Sequence, residues 1–238
     1  MAQTHPSVRT GRPGQSIGPY VVGTQILQLQ SGYNYKEIRG AEDRIDKGFN
    51  NVVRYGFSEA WEINSLINYL DRNQTTPSQP TRISRLNDFN LGLRYNVVNK
   101  LQNNFQGLGV QASIKMANNK GELKPRGVLP VLTVAASILV APKMNLITNL
   151  GVLFNQDQSR PTHFATLRLS RNWNEQFGSY IEVFANQSHP KFRSFVDGGF
   201  FYLWNKDLQL DASIGRGNNE NQKELFIDVG FSVRHSFL

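Results

Sequence analysis

Residues 222–237 read QKELFIDVGFSVRHSF, and their alternation decides the fold. Leu225, Ile227, Val229, Phe231, Val233, His235 and Phe237 fall on one face, and Phe226, Asp228, Gly230, Ser232, Arg234 and Ser236 on the other. A two-residue period is that of a β-strand, whose successive side chains point to opposite sides. Strands of soluble sheets usually run to about 5–6 residues. This one is far longer, and one of its faces is apolar almost throughout. A tilted strand that crosses a bilayer needs about 9–11 residues and carries aromatics where it meets the interfaces. The final strand alone therefore predicts a membrane β-barrel.

Eleven further segments upstream repeat the pattern. The first, 20–35, sets Leu27, Leu29, Tyr33 and Tyr35 against Gln28, Gln30 and Asn34. Phe49–Phe57 sets Val53, Tyr55 and Phe57 against Asn50, Arg54 and Gly56, and the next segment sets Trp61, Ile63, Ile67 and Tyr69 against Glu62, Asn64 and Asn68. Comparable rows follow to Ile214, although 129–140 is apolar on both faces and its orientation stays open. Short turns at Ser58-Glu59, Pro142-Lys143, Asn174 and Asn205-Lys206, and a longer one near 98–104, alternate with longer stretches rich in Asn, Gly, Pro and charge. Those stretches are 36–48, 71–85, 117–127, 156–161, 188–193 and 216–222. Short turns on one side and long loops on the other predict an all-β, up-and-down antiparallel transmembrane barrel of about 12 strands. A soluble barrel or sandwich also alternates, but here the apolar rows end in Tyr, Trp or Phe, as lipid-facing girdles do.

The expected division is a barrel at 20–238 behind a lead at 1–19. That lead is either periplasmic or folded into the lumen as a partial plug. Pro13, Gly14, Gly18 and Pro19 exclude a helix there. No apolar export signal opens the chain, so the sequence reads as a processed form of an exported protein.

Composition agrees. The chain has 238 residues, a hydrophobic fraction of 39%, and 15 Phe, 8 Tyr, 3 Trp and 20 Gly. Its longest apolar run, 128–141, is too short for a spanning helix, which needs about 20 residues. Cysteine is absent, as suits an oxidising compartment. The net charge of +8 comes from scattered Lys and Arg with no nucleic-acid motif, which argues against nucleic acid as partner. Basic loops would instead meet lipopolysaccharide phosphates, making outer-membrane lipid and lipopolysaccharide expected partners beside a small solute and other envelope proteins.

If the apolar rows face lipid, the opposite rows line a lumen. It would hold Arg54, Arg94, Arg168 and Arg234 beside Glu62, Glu182, Asp197, Asp211 and Asp228. Enclosed charges must pair or hydrate. They form either a network that stiffens the barrel or a polar path that selects a solute. Tyr180, Phe184 and Phe226 are bulky inward positions in the C-terminal half. The four His are far apart without metal-ligand spacing, and no nucleophile elbow, paired-His motif or P-loop is found. Ser188-His189 and His235-Ser236 are adjacent and point to opposite faces, unlike the His-x-Ser of an outer-membrane phospholipase. No enzyme, metal or cofactor is expected.

Several stretches carry a family resemblance: RPGQSIGPYVVG at 12–23, LQLQSGYNY at 27–35, VVRYGFSEAWEI at 52–63, NLG at 149–151, DGGFFYL at 197–203, LQLDASIG at 208–215 and GFSVRHSF at 230–237. Over about residues 11–237 the chain resembles a family of bacterial outer-membrane transporters named for the phenol meta-cleavage degradation pathway. The resemblance implies an outer-membrane β-barrel that takes part in transport and carries over no catalytic residue. Leu238 after Phe237 departs from the usual aromatic ending. The function expected is passive or facilitated passage of small solutes, aromatic or amphiphilic ones among them. The alternative is a closed-lumen structural or accessory barrel, for example a subunit of an envelope complex.

Overall fold

A computed structural model describes residues 7–40, 43–75, 80–98, 104–117, 127–154, 160–219 and 222–237. It is a closed barrel in which every strand is antiparallel to both neighbours in chain order, and β1 (Ile26–Gly40) pairs with β12 (Gln222–Ser236) to complete the ring. The others are β2 (Asp43–Gly56), β3 (Trp61–Thr75), β4 (Pro80–Val98), β5 (Phe105–Ala117), β6 (Val128–Ala141), β7 (Met144–Leu153), β8 (Thr162–Asn172), β9 (Phe177–Ser188), β10 (Lys191–Asn205) and β11 (Leu208–Asn219). Closure leaves no strand edge unpaired, which is what a sheet in hydrocarbon requires.

The apolar rows face outward. Leu27, Leu29, Val53, Ile63, Leu91, Leu93, Leu167, Val183, Ile214, Val229 and Phe231 are exposed, whereas Gln28, Gln30, Arg54, Glu62, Arg94, Thr166, Arg168, Glu182, Asp211 and Ser232 are buried. A soluble protein would reverse this assignment. The orientation left open for β6 resolves in the same sense: Thr133, Ala135 and Ser137 are buried, and Leu132, Val134 and Ile138 exposed. Aromatics gather at both margins. At the short-turn end Trp61 packs on Tyr95 with centroids 4.5 Å apart and Phe177 stacks on Phe200 at 5.6 Å. At the other end Tyr33 meets Phe49 edge-on at 5.3 Å, and Phe49 stands opposite Tyr69. Two polar groups within the belt, Ser31 and Asn51, hydrogen-bond to each other at 2.7 Å, which removes the cost of leaving either bare to lipid.

The boundaries depart from expectation at two kinds of place. β1 starts at Ile26, not at residue 20, because residues 20–25 belong to the chain inside the barrel, where Tyr20 and Val22 bind Arg54 and Glu62. The stretches 36–48 and 71–85, expected as loops, are mostly ladder: Ile38 pairs with Arg44, and Arg72 with Ile83. Beyond the hydrocarbon an outward side chain need not be apolar. The alternation therefore disappears from the sequence while the backbone pairing continues. The expected 98–104 and 117–127 connections fall largely outside the described residues.

Candidate functional site

Residues 7–25 run through the lumen rather than out of it. The Val8 N–H donates to the Lys206 carbonyl at the β10–β11 turn (2.7 Å), and the Gln25 N–H donates to the Gly56 carbonyl (2.7 Å) as the chain enters β1. With two Gly-Pro pairs of breakers this strap cannot pair its backbone with itself, so its N–H and C=O groups must find partners on the wall. They do, on strand after strand around the barrel.

On β9 the Glu182 carboxylate accepts from the backbone N–H groups of Gln15 (2.6 Å) and Ser16 (2.7 Å) and from the Ser16 hydroxyl. On β7 Asn149 binds both backbone groups of one residue, accepting from the Ile17 N–H and donating to the Ile17 carbonyl, each at 2.8 Å. On β8 Arg168 donates to the Pro13 carbonyl at 2.7 Å while its guanidinium lies 4.2 Å from the centre of the Tyr180 ring. Across β2, β3 and β4, Arg54 donates to the carbonyls of Arg9 (2.9 Å) and Tyr20 (3.1 Å), Arg94 to that of Tyr20 (3.3 Å), and Glu62 accepts from the Val22 N–H (2.9 Å).

The strap brings two charges of its own into the lumen, Arg9, whose guanidinium lies 3.9 Å from the centre of the Tyr20 ring, and Arg12. Arg12 bridges Asp211 (2.9 Å) and Asp228, the latter also held by Asn34. It can do so because β1 and β12 present Gly32 and Gly230 there. A Cβ at either position would fall on the Arg12 guanidinium. The most enclosed ion pair lies on the wall itself. Arg54 binds Glu62 through two hydrogen bonds of 2.7 Å, with the Glu62 side chain at 0% exposure. A bidentate pair of this kind offsets the desolvation of both ions only while each keeps its partner.

Eight of the nine residues expected to line the lumen thus bind the strap directly: Arg54, Glu62, Arg94, Arg168, Glu182, Asp211, Asp228, and Arg234, which donates to the Ser7 carbonyl at 3.0 Å and to Asp207. The ninth, Asp197, instead accepts from the Tyr180 hydroxyl at 2.9 Å. Gln28, Gln209, Asn149, Thr166 and Ser232 belong to the same set. Their inward positions follow from the alternation, but nothing in the sequence says that their partner is residues 7–25.

The strap divides the lumen into two cavities whose walls share Gly11, Arg12 and Ser16. The one towards the short turns, near Asn172 and Leu203, holds about 290 Å³. The one towards the long loops, lined by Asn34, Asp46 and Phe226 among others, holds about 570 Å³. Each could hold a small solute, and the strap stands between them.

Many solved structures share this architecture, three of which illustrate it. An outer-membrane channel from Pseudomonas putida F1 superposes with a TM-score of 0.68 at 10% identity over 96% of this chain and 100% of that one. The beta domain of the Bordetella autotransporter Brka gives 0.61 at 12% identity, covering 89% and 99%. The CymD monoaromatic hydrocarbon channel gives 0.52 at 11%, covering 90% and 89%. At these identities the likeness is one of fold. No curated protein sequence matches the chain. A family model does, over residues 10–235, which takes in the strap from Thr10 onward and the barrel from β1 to all but the last residue of β12. The chain belongs to that family, described as "Putative MetA-pathway of phenol degradation".

Proposed function

We propose that this protein is an outer-membrane channel for small solutes and that the strap at residues 7–25 is its gate. The observation that carries the reading is the pair of luminal cavities separated by a segment held through hydrogen bonds and ion pairs. Exchanging each such bond for one to water costs about 0.5–1.5 kcal/mol where both partners are neutral and about 1.5–3 kcal/mol where one is charged. The strap can therefore leave its seats in steps, without unfolding the wall. The CymD channel, whose name records monoaromatic hydrocarbons, has the same fold and supports small aromatic solutes as cargo. No catalytic constellation is assigned. On the outside, Arg39 and Lys223 stand opposite each other across β1 and β12 at the long-loop rim. Glu37 pairs with Arg39 at 2.6 Å, and a lipopolysaccharide phosphate between the two cations would take a charge-assisted hydrogen bond from each.

The chain has no cysteine, so a pair introduced at Ser16 and Thr166, whose hydroxyl oxygens lie 2.7 Å apart, would tether the strap without competing thiols. Planar-bilayer recordings of Ser16→Cys/Thr166→Cys should give low conductance when oxidised and a several-fold rise after reduction. Equal conductance in both states would overturn the gate. Silence in the reduced protein and in a chain lacking residues 7–19 would favour the closed-lumen scaffold.

A further inference from the structure

Three phenylalanine rings intrude on the lumen above the strap, where the neighbouring inward positions are polar or small: Thr166, Asn186, Asp197, Gly215, Gly217 and Asp228. Phe184 and Phe195 face each other across β9 and β10, stacked with centroids 4.7 Å apart and planes within 9°. Phe226 on β12 stands edge-on to Phe195 at 6.4 Å. All three line the 570 Å³ cavity. An apolar platform inside a polar vestibule is where an apolar or flat solute would be held.

Cations border the platform. The Lys36 ammonium is 5.9 Å from the centre of Phe226 and 6.0 Å from that of Phe195, and the Arg193 guanidinium is 5.5 Å from Phe195. Both reach Glu224, Lys36 at 3.5 Å and Arg193 in direct contact. That carboxylate is sealed at 0% side-chain exposure, whereas Lys36 and Arg193 keep 37% and 38%. The anion is therefore hidden and the cations are presented to the cavity. On the same rim Arg44 and Arg72 share the single carboxylate of Asp46, at 3.2 and 2.8 Å. Four cations thus stand around two carboxylates. Below them, Asp228 is engaged by Arg12 together with Asp211, and Asp197, which lines the same cavity, accepts from the Tyr180 hydroxyl. Rings that served only as filler would not need an unbalanced positive rim beside them.

We propose that this vestibule is a binding subsite for small aromatic carboxylates, the ring lying against Phe226 and Phe184 and the carboxylate meeting Lys36 and Arg193. The proposal rests on the lumen being a solute path and specifies the charge of what enters it. Net positive potential in an enclosed mouth concentrates anions, and a charge-assisted hydrogen bond to the carboxylate fixes the orientation.

Isothermal titration of the full-length, detergent-folded protein with benzoate, benzyl alcohol, benzylammonium and cyclohexanecarboxylate tests it without requiring passage. Benzoate should bind about tenfold more tightly than benzyl alcohol, a difference that one good charged contact supplies, and benzylammonium more weakly than either. Lys36→Gln keeps the Arg193–Glu224 pair and should erase the advantage of benzoate over benzyl alcohol. Phe226→Leu should erase its advantage over cyclohexanecarboxylate. Unchanged circular dichroism and heat-modifiable gel migration would certify the fold of both variants. Equal binding of benzoate and benzyl alcohol, or a Lys36→Gln protein indistinguishable from the parent, would overturn the subsite. Benzoate binding with these responses in a barrel that never conducts would uphold the subsite and sink the channel.

Discussion

The two sides of the same strands are built on different principles. Outward, Val183 on β9 meets lipid at 50% exposure, and its neighbours across the ladder, Leu167 and Val196, ask only that it be apolar. Inward, one residue away, Glu182 is 1% exposed and accepts from three donors of the strap. The outer side is specified by pattern, since acyl chains adapt to any apolar shape. The inner side is specified by partners, since a buried ion has few tolerable arrangements.

That contrast can be broken experimentally, and the largest effect should be inside. Glu62→Gln removes one charge from the pair with Arg54 and leaves two guanidiniums, Arg54 and Arg94, facing a neutral amide. The expected loss is about 3–5 kcal/mol, read as a shifted urea midpoint of the barrel folded in lipid. A loss under about 1 kcal/mol would mean that water already solvates this pair, against its burial. The outer side should respond strongly only to a change of class. Val183→Arg, near the middle of the belt, should cost about 2–4 kcal/mol and reduce insertion into vesicles. A neutral result there would place β9 away from lipid. The smallest effect should come from changing shape and keeping class: Ile181→Leu, at a site 56% exposed, should move stability by less than about 0.5 kcal/mol. A cost of 1 kcal/mol or more would reveal a packed protein partner on that face.

The same contrast explains what could be read from the sequence. The lipid face of β12 is plain because hydrocarbon imposes one rule on Leu225, Ile227, Val229, Phe231 and Val233 alike, and the lumen face follows by subtraction. Where hydrocarbon ends, the rule ends, and so the ladder through Ile38–Arg44 and Arg72–Ile83 looks like loop. For β6 the rule is obscured because Leu129, Val131 and Ala135 on the inward row are as apolar as their outward neighbours. The strap is the larger gap. Gly and Pro forbid a helix at 11–19, but Glu182 meeting Gln15 and Ser16 is a contact across 166–167 positions, which no local periodicity encodes. The charges could be placed in the lumen from the sequence. A partial plug is one of two readings of the lead, but which charges would hold it could not be read.

The route of the strap also bears on how the molecule is built. Its seats begin with Gln28 on the first strand and end with Arg234 on the last, passing Glu62, Asn149 and Glu182 on the way. An open or partly inserted sheet offers only some of them, leaving buried carboxylates and guanidiniums without counterparts. The complete set of seats exists only once β1 has met β12. Seating of the strap therefore comes after ring closure, and a barrel shut one strand short would leave it nowhere to lie.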